Sequence, residues 1–144
     1  MAGGKANTFD NDLLKLIFNA TPIANIADNA TSAPLTNLYL SLHTADPGAG
    51  GSQTTNEAAY TSYARVAVAR TSGGWTISGS NATLVATANF PSPTGGSETE
   101  THFAVGTASS GAGKILYRGP ITPSIVIVVG TPPQLTTGTQ ITES

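Results

Sequence analysis

The sequence predicts an all-β protein: a single β-sandwich of jelly-roll or Greek-key type with one short N-terminal helix. Three observations predict it. Apolar residues recur with a period of two in several separate runs, the spacing of a strand with one buried face. Turn residues divide those runs at short intervals, from a pool of 16 Gly and 9 Pro, as in sandwiches and barrels. One segment alone carries a convincing helical period.

That segment opens the chain. Residues 1–7 read as a flexible arm. Thr8 is placed to cap a helix, with Asp10 and Asp12 near its positive end. Phe9, Leu13, Leu16 and Ile17 then fall on one helical stripe, which Leu14 and Phe18 widen. The helix is expected to stop near Asn19, ahead of Pro22. A short helix is marginal alone in water, so the stripe must be buried somewhere. It packs either on its own domain or on a neighbouring subunit. Phe9, Leu13, Leu16 and Ile17 are therefore the candidate partner-binding residues.

Residues 20–36 read as loop. From Asn37 the period becomes two: Leu38, Leu40 and Leu42 point one way, Tyr39, Ser41 and His43 the other. Asp46-Pro47-Gly48 is a turn, and 48–59 is a loop long enough to suggest function. Tyr63 to Arg70 reads as a strand with Val66 and Val68 inward, and Gly73-Gly74 as a hairpin into Trp75 to Ser78. Asn81 to Phe90 is a further β run, ended by Pro91 and Pro93. Phe103 and Val105 share a face of the run from Glu100 to Thr107. Lys114 to Arg118 follows Gly111 and Gly113. Pro120 and Pro123 then separate it from Ile125 to Val129, and a closing strand spans Thr139 to Thr142. This gives about eight strands, with no fixed-period repeat. The expected organisation is one domain over 1–144, with the arm and helix in 1–19 and the sandwich in 37–142.

Composition narrows the function. Charged residues make up 10% of the chain, with six Lys plus Arg, eight Asp plus Glu, two His and no Cys. Disulfides and thiolate chemistry are excluded. A net charge of −2 offers no basic footprint for nucleic acid. No apolar run reaches the roughly 18–20 residues of a membrane helix. Met1 to Lys5 is not followed by a signal-peptide core, so export by that route is not expected.

The few chemical groups have plainer readings than catalysis. His43, Asp46 and Ser41 or Ser52 evoke a hydrolase, but no G-x-S-x-G elbow is present. Asp46 is better read as a turn cap, and His43 as a surface or hydrogen-bonding residue. His43 and His102 are too few for a metal site. Gly48 to Gly51 and Gly111 to Lys114 do not fit a phosphate loop. Glu98 and Glu100 alternate on one strand face as a glycosidase pair would, yet a solvated edge explains them. Trp75, Tyr39, Tyr60, Tyr63 and Tyr117 are scattered as core and interface aromatics are. No enzyme activity and no cofactor are expected.

Five blocks, taken together and in order, carry a resemblance. They are Leu38-Tyr-Leu-Ser-Leu-His-Thr-Ala-Asp-Pro-Gly48, Asn56-Glu-Ala-Ala-Tyr60, Tyr63-Ala-Arg-Val-Ala-Val68, Thr101-His-Phe-Ala-Val-Gly-Thr107 and Gly111-Ala-Gly-Lys-Ile-Leu-Tyr117. Over about residues 37–120 the chain resembles a family of small virion proteins of tailed bacteriophages and prophages, often labelled tail-fibre-like. The resemblance implies a virion structural role. A short, repeat-free chain suits a capsid cement, or decoration, protein better than a fibre shaft. Such a protein would bind the major capsid protein on the outer capsid surface, after assembly in the host cytoplasm. It would also bind itself, by default as a dimer. The alternatives are a tail, baseplate or fibre-associated component that contacts a host receptor, and a carbohydrate-binding module.

Overall fold

The computed structural model describes residues 6–23, 26–27 and 34–143. Most of the expected arm (1–5) and part of the expected loop (24–25 and 28–33) lie outside them. The described chain is all-β with one short helix, α1 (Asn7–Phe18), and nine strands. It condenses into two compact units. One comprises Met1–Thr36, Ala69–Thr87 and Thr136–Ser144; the other comprises Asn37–Val68 and Ala88–Leu135.

The first unit pairs α1 with a three-stranded sheet. Its strands are β3 (Trp75–Ser78), β4 (Asn81–Leu84) and β9 (Gln140–Thr142), in the order β3-β4-β9 and antiparallel. The hairpin joins β3 to β4 at Gly79, whose φ of 58° suits a residue without Cβ. Gly73-Gly74 does not build a hairpin from the preceding strand, because that strand belongs to another sheet. The helix begins after Ala6, which makes no side-chain cap, so Thr8 sits inside the first turn rather than capping it. At the other end Arg70 supplies what the sequence did not reveal. Its Nε donates to the carbonyl of Ile17 at 2.6 Å and its Nη2 to that of Leu16 at 2.8 Å. Carbonyls that lack intrahelical partners thereby gain a cation at the negative helix end. Turned with its nitrogen inward, the Asn19 amide donates to the carbonyls of Thr71 and Trp75.

The buried stripe of α1 is Leu14 and Phe18, both fully buried, with Asp10. Phe18 meets Trp75 with ring centroids 4.5 Å apart, and Ala82, Leu84 and Ile141 complete the apolar set. Burying each large side chain contributes about 1.5–3 kcal/mol, enough to hold a 12-residue helix that would fray in isolation.

The second unit is built on a four-stranded sheet in the order β2-β1-β6-β7: β2 (Val66–Ala69), β1 (Asn37–His43), β6 (Thr99–Gly106) and β7 (Ile115–Val126). The antiparallel register sets Leu40 opposite Val105 and Leu42 opposite Phe103, all buried. A two-stranded ladder joins β5 (Ala88–Asn89) to β8 (Gln134–Leu135). The sequence reading missed β8, and it joined β4 and β5 into one run. It also stopped the seventh strand at Pro120, whereas β7 passes through Pro120 and Pro123. A proline lacks an N–H, which an edge strand tolerates, and β7 is an edge. The same prolines deny a further strand the donors it would need there.

Candidate functional site

The loop expected to carry function, between β1 and β2, is bound down by buried polar side chains. His43 is fully buried. Its Nδ1 lies 2.8 Å from the carbonyl of Thr55, and its Nε2 lies 2.9 Å from Ser41 Oγ. A carbonyl only accepts, so Nδ1 carries the proton and Nε2 accepts from the Ser41 hydroxyl. Burial holds the imidazole below its ordinary pKa, against the raising effect of the Thr55 carbonyl. The neutral ring suits that arrangement.

A serine that donates to an oriented histidine is also how a hydrolase activates its nucleophile. The structure brings Ser41 and His43 together and leaves Asp46 out. Asp46 caps the Gly48 amide at 2.9 Å and pairs with Arg118 at 2.6 Å. Ser41 and His43 have no exposed surface, so a substrate cannot reach the hydroxyl. The pair acts as a strut between β1 and the loop. His43 is accordingly a hydrogen-bonding residue of the interior rather than a surface one. His102 faces it across the β1–β6 ladder, and its Nδ1 is held by Thr101 Oγ1 at 2.9 Å.

Beside this strut lies an ion-pair cluster. Arg65 Nε and Nη2 donate to Glu57 Oε1 and Oε2 at 2.6 and 2.8 Å, a bidentate pair. Tyr63 adds its hydroxyl to Glu57 Oε1 at 3.0 Å and accepts the Leu42 amide at 3.1 Å. The remaining Arg65 donors reach the carbonyls of Ala108 and Gly111, which bind the loop to the β6–β7 connection. The hydrogen bonds to Glu57 raise the Arg65 pKa, and burial raises that of Tyr63. Gln53, fully buried, donates to the Tyr39 carbonyl and accepts from the Ala108 amide. A Cβ at Gly106 or Gly113 would collide with its side chain, so those two positions need glycine. The five blocks that carried the resemblance thus meet in one network: Ser41 and His43, Glu57, Tyr63 and Arg65, Gly106, and Gly111 and Gly113.

Glu98 and Glu100 correct the solvated-edge expectation. Glu100 is fully buried. Glu98 is half-buried, and its Oε1 accepts the amides of Ala59 and Tyr60 at 2.8 and 2.7 Å. The aromatics also divide. Trp75 is sealed in the first unit. In the second, Tyr63 lies between Tyr60, in edge contact at 5.3 Å, and Phe90, stacked at 6.3 Å.

Apolar side chains also lie at the surface of each unit. On α1, Phe9 is 39% exposed, and Leu13, Leu16 and Ile17 are half-buried. This is the stripe named from the sequence, and it is not the one packed inside the unit. In the second unit Val126, Val128 and Val129 are each more than half exposed, around the buried anchor Ile127, whose amide donates to the Glu98 carbonyl. No charged residue occurs between Arg118 and Glu143, a depletion typical of protein-binding surfaces.

The Ser41–His43 pair is sealed, and the loop that carries Thr55 is fixed by internal bonds. The class is that of phage virion structural proteins, because a family model from that class matches residues 5–142. The chain belongs to this family, described as podophage GP4 fiber I protein gp80. No curated protein matches the chain.

Proposed function

We propose that this chain is a non-enzymatic structural subunit of the virion and serves in a fibre or fibre-associated part of the tail. The observation that carries the reading is the family match across residues 5–142, with its fibre description. The interior supports it, since the Ser41–His43 pair has no exposed surface. The subunit binds its neighbours through the outer face of α1, with Phe9, Leu13, Leu16 and Ile17 as contact residues. Copies of the chain associate through the uncharged run that carries Val126, Val128 and Val129. A stable contact typically buries about 800 Å² per partner, so each valine cluster is one part of a larger patch. No cofactor takes part.

The second reading is a cement protein bound to the major capsid protein on the outer capsid surface. The lack of any fixed-period repeat in the sequence favours it, because a shaft is usually built from repeats. Copy number per virion, measured on purified particles, separates the two. A fibre subunit is present in tens of copies or fewer at the tail. A cement protein approaches the copy number of the capsid protein. Antibody labelling at the tail supports the first reading, and labelling over the whole head supports the second.

A further inference from the structure

Glu100 is the one fully buried carboxylate among the described residues whose two oxygens both lack a hydrogen-bond donor. It lies two residues from Glu98, which stands just before β6, and the Glu98 carboxyl acts on it as a charged and hydrogen-bonding neighbour. Two carboxylates hydrogen-bond only with a proton between them. The entry to β6 supplies Glu98 itself, the β1–β2 loop supplies Tyr60, and β7 sets the uncharged Ile125 opposite Glu100. Among the described residues, no cation acts on Glu100.

We propose that Glu98 and Glu100 share one proton as a carboxyl–carboxylate latch, and that loss of this proton releases the segments the latch holds. Glu98 is the hinge of the arrangement. Its Oε1 holds the amides of Ala59 and Tyr60, and its backbone carbonyl holds the amide of Ile127. The Tyr60 hydroxyl continues the chain of bonds to the Pro91 carbonyl at 3.0 Å. With one proton shared, the pair bears a single charge, and that charge faces two backbone amides. With the proton lost, two like charges meet in a site without a counter-ion, and the strongest repulsion lies where burial screens it least. The relief available is for the Glu98 carboxylate to leave the amides of the loop. That motion also loosens the stretch after β7 that presents Val128 and Val129.

Burial, and then the neighbouring Glu98 charge, push the Glu100 carboxyl up to about 8 from an ordinary 4.5. In the unfolded chain Glu100 ionises near 4.5, while in the folded chain it holds its proton to about 8. Its effect on stability is therefore most favourable below 4.5 and is lost as pH rises to 8. Within that window one group shifts the folding equilibrium by about tenfold per pH unit.

The test uses the full chain and its Glu100→Gln variant, across pH 6 to 9.5. Carbon-detected NMR of the wild type, which needs no variant, follows the Glu100 carboxyl directly. We expect it to titrate far above the ordinary glutamate range, and the protection of the Ala59, Tyr60 and Ile127 amides to fall across the same pH interval. In Glu100→Gln that loss of protection disappears. A carboxyl that titrates near its ordinary value overturns the latch. So does amide protection that falls equally in wild type and variant. Added calcium chloride at pH 9 is the third arm. Restored protection in the wild type, absent in Glu100→Gln, assigns the pair to a divalent cation and overturns the proton; no effect of calcium sustains it.

Discussion

Two buried polar clusters stand within one unit and follow opposite rules. Around Glu57, charge is answered by charge: both carboxylate oxygens meet Arg65, one also meets Tyr63, and the remaining guanidinium donors find carbonyls. Around Glu100, a carboxyl lies deeper still, with no cation and no donor among the described residues. The first cluster keeps its charges because each is paired. In the second, Glu100 sheds its charge by holding a proton. Burial alone therefore does not tell what a polar residue is for. A fully partnered cluster is fixed over a wide range of pH, whereas one completed by a proton is conditional on pH. In this molecule the fixed cluster binds the β1–β2 loop at Glu57, Tyr63 and Arg65, and the conditional one binds it between them, at Ala59 and Tyr60.

The sharpest way to break the comparison is to remove the cation from the partnered cluster. Arg65→Ala leaves Glu57 without its counter-ion, and we expect it to cost about 3–5 kcal/mol in urea unfolding. A loss below about 1 kcal/mol would show that the pair behaves as a surface contact. The apolar control in the other unit is Phe18→Ala, expected to cost a similar 3–5 kcal/mol and to reduce the helical signal in circular dichroism. Ser41→Ala takes one hydrogen bond from buried His43 and is expected to cost about 1–3 kcal/mol, read as a lower thermal midpoint. Burial lowers the His43 pKa, so its contribution is present above the ordinary value and is lost as pH falls through the folded one. The wild type accordingly weakens on the acid side through His43 and toward pH 8 through Glu100. Phe9→Asp, on the exposed face of α1, is expected to leave the thermal midpoint within a few degrees while blocking incorporation into particles. At the small end, Asp46→Asn loses only an exposed pair with Arg118, and no change in midpoint is expected.

The fold was legible where one periodicity ruled. Leu38, Leu40 and Leu42 marked β1 at its observed bounds, and the helix ended before Asn19 as Pro22 required. Reading failed where tertiary contact overrides local signals. Pro120 and Pro123 look like strand breakers, yet an edge strand needs few donors on its open side. Thr8 looks like a cap, while the terminal work falls to Arg70, more than fifty residues away in sequence. Alternation at Glu98 and Glu100 is the pattern of a solvated edge, yet Glu100 is fully buried. On α1 it is Leu14 and Phe18, the residues that widen the stripe of Phe9, Leu13, Leu16 and Ile17, that are buried, with Phe18 against Trp75. The cluster around Glu57 is assembled from near and distant positions: its partners Tyr63 and Arg65 stand six and eight residues on, whereas the Ala108 and Gly111 carbonyls that hold Arg65 come from a separate connection. No spacing rule joins them. The glycines at 106 and 113 gave a local signal without its cause, which is the volume of Gln53.

The central claim is that this chain is a structural part of the virion and works by contact. Imaging of the intact particle at residue resolution tests it most directly. The account predicts this β fold, in several symmetry-related copies within a tail fibre or its attachment, with Phe9, Leu13, Leu16 and Ile17 pressed against a neighbouring chain. Particles that carry no such density, or copies whose α1 outer face lies open to solvent, would contradict it.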